Sequence, residues 1–221
     1  MQSTFYDRHV GVARMAGYLS QCGGDAERAA ALYVWNAKVA GALGTDLGHL
    51  EVALRNALDE RMMSRNLRLK RSGDWLDDPT RELGRDRWGT GKHAQPYKDI
   101  ASAKGRVSSN SKPMSHGQVV SETTFGLWHQ LVSKKWSTTL WPDLASAFPH
   151  APNRTRETVA DPVEALRDLR NRMSHQHRIW PRDLEQDRVA ILTVAGYIDP
   201  DLARWIEAQS GVTELLATRV A

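Results

Sequence analysis

The stretch RNRMSHQHRIW, residues 170–180, gathers the side chains best suited to chemistry in this chain. Arg170, Arg172 and Arg178 are cationic, and Asn171 sits among them with His175 and His177. Histidine can take up or release a proton near pH 7. Arginine offers a rigid fork of donors that fits a phosphate. Asparagine holds an imidazole or a ribose by hydrogen bonds without adding charge. That set suits cleavage of an RNA phosphodiester by its own 2′-hydroxyl. His175 is the candidate general base or acid, Arg170 the group that stabilises a phosphorane-like transition state, and Asn171 the orienting residue. The competing reading is a charged, solvated helix face.

Helical geometry separates some of these options. With Leu166 as origin and about 100° per residue, Val163 lies at about 60°, Leu169 at about −60° and Met173 at about −20°, a coherent apolar stripe. Asn171 falls at about 140° and His175 at about 180°, away from that stripe and one turn apart. A lone histidine among apolar residues is most often a satisfied core residue, but His175 faces the wrong way for that. Arg170, at about 40°, stands at the stripe's edge with a stem long enough to swing outward. RNA cleavage needs a second proton-transfer group. His177, Arg178 or a symmetric copy of the motif could supply it, and paired copies of this helix would bring two Arg170/Asn171/His175 sets around one cleft.

A second candidate is HLEVALRNALDERM, residues 49–62, where Glu51 and Arg55 are an i, i+4 pair and Arg55-Asn56 echoes Arg170-Asn171. It reads either as a surface helix laced by an ion pair or as an accessory layer orienting the catalytic face. His175 and His177 are two apart, which splays them on a helix, and no HExxH or carboxylate cluster forms a metal cage. Neither a P-loop nor a dinucleotide fingerprint is present, so no metal or cofactor is expected. Cys22 lacks an evident activating partner.

The elements that must position these residues are helical. Residues 8–21 predict an amphipathic helix stopped by Gly23-Gly24. Asp25 can N-cap a second, to about Val39, with Leu32, Trp35 and Val39 on one side. A third runs from about Asp46 to Asn66 through Leu47, Leu50, Leu54, Ala57 and Leu58. Segment 67–114 is turn-rich and irregular, broken by a short helix near 95–107; such stretches are usually functional or disordered. Ser115 starts a helix through Val132, another covers 138–148, and residues 160–177 carry the motif. Asp183 caps a helix to about Ile198, and short helices at 200–209 and 212–220 follow. The tryptophans at 35, 128, 136, 141 and 205 read as core. The expectation is one all-α domain over 1–221, with 67–114 as a long irregular basic insertion.

Composition agrees with this and narrows the setting. Hydrophobic residues at 41% and charged residues at 25% are ordinary for a globular protein. With no apolar run of about 18 residues, no secretory h-region at the start and one cysteine, a cytoplasmic protein without disulfides is expected. Net charge is +4. Residues 61–112 hold 13 Lys and Arg against 6 Asp and Glu, a local +7 that leaves −3 for the rest. Trp75, Trp88 and Tyr97 are interspersed there, so the stretch reads as a polyanion-binding face or as a solvated basic loop.

Three stretches carry a family resemblance: GGDAERAAALYVWNAKVAGALGTDLGHLEVALRNALDERM; ETTFGLWHQLVS with LWPDLASAFP; and ALRDLRNRMSHQHRIW. The chain resembles the Abi-like (abortive-infection) family of bacterial proteins within the HEPN superfamily. Those domains bear an R-x4-6-H signature, commonly with Asn after the Arg, and Arg170, Asn171 and His175 are similar to it with four intervening residues. The resemblance implies a HEPN-like helical bundle and a homodimer with the signature at a shared cleft. It also implies metal-independent endoribonuclease activity on RNA, and a setting in phage defence or with an antitoxin. It separates Arg170, Asn171 and His175 as the site from Arg172 and Arg178, which would attract RNA. The family often places His or Glu directly after the signature His; here Gln176 stands there and His177 follows, leaving its role open. A non-catalytic RNA- or protein-binding module, or an interaction subunit, remains the alternative.

Overall fold

Leu32, Trp35, Val39, Leu43, Leu47, Leu50, Leu54, Leu58 and Met62 recur every three or four residues, and all are buried. They form one unbroken stripe along the axis of the fold. The computed structural model describes residues 5–219; residues 1–4, and residue 220 of the expected last helix, lie outside the described residues. A π-helical turn (Asp7–Gly11) leads into α1 (Val12–Gln21). Helix α2 (Ala26–Arg68) then runs for 43 residues, capped by the Asp25 carboxylate, which accepts from the Glu27 and Arg28 amides. Two separate helices, 25–39 and 46–66, were expected here, and the chain makes one.

The reason is packing. Gly41, Gly44 and Gly48 each cost about 1 kcal/mol against alanine in a helix interior. Burial of the nine stripe side chains, at roughly 1.5–3 kcal/mol each, outweighs that several-fold. Asp46 starts no helix: it is buried, and its carboxylate accepts the Ser210 hydroxyl at 2.6 Å.

After α2 the chain makes a 3-10 turn (Trp75–Asp77), then α3 (Tyr97–Ser109), α4 (His116–Ser121), α5 (Phe125–Leu131), a second 3-10 turn (Lys134–Trp136) and α6 (Trp141–Leu144) with a 3-10 extension (Ala145–Ala147). Helix α7 (Arg156–Ser174), α8 (Leu184–Ile198), α9 (Pro200–Gln209) and α10 (Val212–Ala217) complete it. No strand occurs among the described residues, and the fold is all-α. Helix α2 packs against α1, α5, α7, α8 and α10, while α8 also packs against α7 and α9.

Three further expectations are corrected. The helix expected from Ser115 to Val132 is two, broken where Thr123 bonds the Val120 carbonyl and accepts the Trp128 indole. Trp205 is 47% exposed, stacked edge-on against His49, and is not core. Segment 67–114 is irregular over much of its length but packed: Trp75, Leu76, Leu83, Ile100 and Val107 are all in the core. Part of its positive charge, with that of neighbouring Arg65, is paired. Arg65 forks onto Glu82, Arg71 joins them, Arg68 forks onto Asp143, Lys104 meets Asp77, and Arg106 and Lys112 meet Glu122. Of these acidic partners only Glu122 and Asp143 lie outside residues 61–112, so the stretch keeps most of its +7.

Candidate functional site

Helix α7 ends three residues earlier than periodicity indicated, at Ser174, with His175 as its C-cap. The Gln176 amide bonds the Met173 carbonyl at 2.9 Å, and the His177 amide reaches back to the Arg172 carbonyl at 2.8 Å. This is a Schellman closure, in which the residue after the cap must turn left-handed. Gln176 does so at φ 53° without being glycine. The outcome is that Asn171, Arg172, His175 and His177 all stand exposed at one helix end.

Neighbouring elements hold that end in place. Arg14 of α1 donates to the Gln176 carbonyl at 2.7 Å. Buried Asn36 of α2 accepts from the Ile179 and Trp180 amides at 2.9 and 3.0 Å, and Ile179 is sealed in the core. Arg219 donates to the Trp180 carbonyl. Sequence reading missed Asn36, although an asparagine between Trp35 and Val39 on an apolar stripe is the signal of a buried side chain needing a partner.

Two hollows open beside this turn. One, of about 330 Å³, is lined by Asp168, Asn171, Arg172, His175, His177 and Arg182. The other, of about 390 Å³, lies against α1 and is lined by Ala13, Arg14, Arg172, Gln176, His177 and Arg178. Arg172 and His177 border both. Arg182 is forked onto buried Asp187 at 2.8 and 2.6 Å and so has a fixed position. The His175 and His177 rings stand 5.8 Å apart between centroids. Neither ring nitrogen of His175 has a hydrogen-bond partner among the described residues.

Arg170 lines neither hollow. It is half-buried and close enough to Glu51 of α2 to act on its carboxyl. Burial pushes the Glu51 carboxyl up, against the pull of Arg170, the Phe125 backbone amide and Arg55. Arg55 donates to the Ser121 carbonyl at the end of α4 and so joins α2 to α4. Both Glu51 and Arg55 are half-buried, and the pair is no exposed surface lacing. The structure brings Asn171, His175 and His177 together in one hollow, and Arg170 lies outside its lining.

Two other histidines escaped the sequence reading. His116 of α4 sits between Asp59 of α2 and Asp74, with Nε2 2.8 Å from one carboxylate and Nδ1 2.7 Å from the other. His129 of α5 is buried, and burial with the nearby Arg167 pulls its pKa down, so it is neutral near pH 7. Among the described residues no group of three or more His, Cys, Asp or Glu side chains is placed to hold a metal ion. Nor is any helix there long and apolar enough to cross a membrane. No protein-family model matches the chain, and neither curated proteins nor solved structures give a significant match.

Proposed function

We propose that the chain is a metal-independent endoribonuclease that works as a homodimer, with His175 as its proton-transfer group. The observation that carries this reading is the exposed, unpartnered His175 beside Asn171 and Arg172 in a hollow at the rigidly closed end of α7. In the reaction, the RNA 2′-oxygen bonds to the adjacent phosphorus while the bond from phosphorus to the 5′-oxygen breaks. His175 accepts the 2′-hydroxyl proton while water protonates the leaving 5′-oxygen, or it supplies that proton while water takes up the one from the 2′-hydroxyl. The products are a 2′,3′-cyclic phosphate and a 5′-hydroxyl.

Arg170 enters from the second copy in this scheme. On one α7, Arg170 and His175 are about 140° apart around the helix axis, and Arg170 does not line the hollow that contains His175. Two α7 ends facing one another bring the Arg170 of one protomer toward the His175 of its partner. The guanidinium then stabilises the charge that develops on phosphorus. Glu51 and Arg55 act as positioning residues for Arg170. The resemblance of RNRMSH to the HEPN signature supports the same roles, and extends them to a place in phage defence or beside an antitoxin, in the cytoplasm.

A binding-only module is favoured by one observation, the absence of Arg170 from the lining of the hollow that contains His175. Mixing separates the two. Arg170→Ala and His175→Ala chains are each expected to be inactive alone. Combined, they should recover cleavage, because a mixed dimer contains one intact site. A chain that light scattering finds monomeric at micromolar concentration, or mixed variants that never regain cleavage, would overturn the shared cleft.

A further inference from the structure

The hollow against α1 is not needed for the proton transfers, and its lining has one sign of charge. Arg14, Arg172 and Arg178 converge there with His177, and no acidic residue lines it. Arg172 and Arg178 have no ion-pair partner among the described residues. Arg14 uses one N–H on the Gln176 carbonyl, which leaves the rest of its fork free. Three cations in one concavity repel one another, an arrangement maintained at a cost unless an anion visits.

Gly17 adds a structural detail. A Cβ built there would collide with the Arg178 guanidinium, which therefore lies across the bare backbone of α1. Beside it, the Tyr18 ring is buried, so Arg178 is laid on a fixed surface rather than left swinging in solvent. Arg172 and His177 also border the hollow that contains His175. The basic basin and the proposed reaction hollow thus adjoin, with Arg172 and His177 between them.

We propose that this basin is a phosphate subsite that grips the backbone of a single-stranded RNA at a nucleotide next to the one cleaved, with Arg14 and Arg178 as its principal contacts. The location relative to the scissile phosphate rests on the reading of His175 given above; the binding of phosphate does not. Charge-assisted guanidinium–phosphate contacts give affinity without base preference, and each one that is lost flattens the salt dependence.

The test is fluorescence anisotropy of a labelled single-stranded RNA 12-mer in a His175→Ala background, which isolates binding from cleavage. Adding Arg14→Gln or Arg178→Gln is expected to weaken binding by roughly tenfold and to lower the log–log salt slope by about 0.7. Gly17→Ala removes no charge but displaces Arg178. It should lose affinity as Arg178→Gln does while keeping the melting temperature, since alanine is the better helix former. Melting curves of every variant show whether any loss of binding is merely a loss of fold.

Unchanged affinity and slope in folded Arg14→Gln and Arg178→Gln would overturn the subsite, even if the parent cuts RNA through His175. Arginine-dependent binding by a chain whose His175→Ala form cleaves as fast as the parent would retain the subsite and discard the catalytic reading. Two controls identify the occupant. Inorganic phosphate at matched ionic strength should compete no better than chloride, and poly-glutamate should bind far more weakly than RNA. Saturable phosphate binding that leaves RNA affinity unaffected, or equal binding of poly-glutamate, would overturn RNA as the ligand.

Discussion

Both ring nitrogens of His116 are bound, one to Asp59 and the other to Asp74, whereas neither ring nitrogen of His175 has a partner among the described residues. A neutral imidazole can donate from one nitrogen only, so the first arrangement selects the imidazolium. Burial disfavours that charge, but hydrogen bonds and attraction from the two carboxylates outweigh it and raise the His116 pKa. Asp59 also accepts the Trp75 indole, and Asp74 accepts the Leu76 amide. His116 therefore ties α4 and the Trp75 turn to α2. His175, with both nitrogens open, holds nothing together. The contrast teaches that a histidine's role is decided by what its nitrogens already touch: a saturated one stabilises, and an unsaturated one at a rigid, concave helix end can work.

Variants that interchange these roles test the contrast. The largest stability loss is expected at the support of the open end. Asn36→Leu orphans the Ile179 and Trp180 amides and should cost about 2–4 kcal/mol in a denaturant titration. A loss under about 0.5 kcal/mol would mean that the turn closes without it. His116→Ala leaves two carboxylates facing each other and should cost about 2 kcal/mol.

The same clamp predicts a pH dependence with a definite sign. A raised folded-state pKa means that the native chain binds the proton more tightly than the unfolded one. His116's contribution is therefore full below about pH 6.5, the unfolded value, and is lost as pH rises through the raised folded value. Asp59 and Asp74 are the charged groups that face the ring, and Arg71 lines the neighbouring hollow. Stability of the parent should fall across that window, and the fall should shrink in His116→Gln. Identical profiles for the two would remove the clamp from the account.

Smaller effects are expected elsewhere. Gly44→Ala should stabilise by about 0.5–1 kcal/mol, because a Cβ there meets nothing within 4 Å and the backbone is helical. A destabilising result would contradict the unbroken α2. Finally, His177→Ala should shift stability by no more than about 0.5 kcal/mol.

Much of this is legible in the order of residues alone. The apolar stripe at Val163, Leu166 and Leu169 is buried as periodicity requires, and Asn171 and His175 are exposed opposite it. Asp25, Ser115 and Asp183 cap helices with their side chains, since capping is local chemistry that a short window reveals. What failed was decided at long range. Gly41 to Asp46 looks like a stop followed by a start, but core packing carries the helix through. Segment 67–114 reads as a polyanion-binding face or a solvated basic loop, and the pairing of some of its cations with Glu82, Glu122 and Asp143, the last 75 residues from Arg68, is invisible in a short window. The His116 clamp and the Arg14 contact to Gln176 both depend on pairs that sequence order does not bring together.

The central claim is that the unpartnered histidine at the end of α7 performs chemistry. It is tested most directly by incubating total cellular RNA, with EDTA present, with purified parent chain and with His175→Ala. The account predicts fragments ending in 2′,3′-cyclic phosphate from the parent and a rate at least about a hundredfold lower from the variant. Cleavage by His175→Ala at the parent's rate would contradict it.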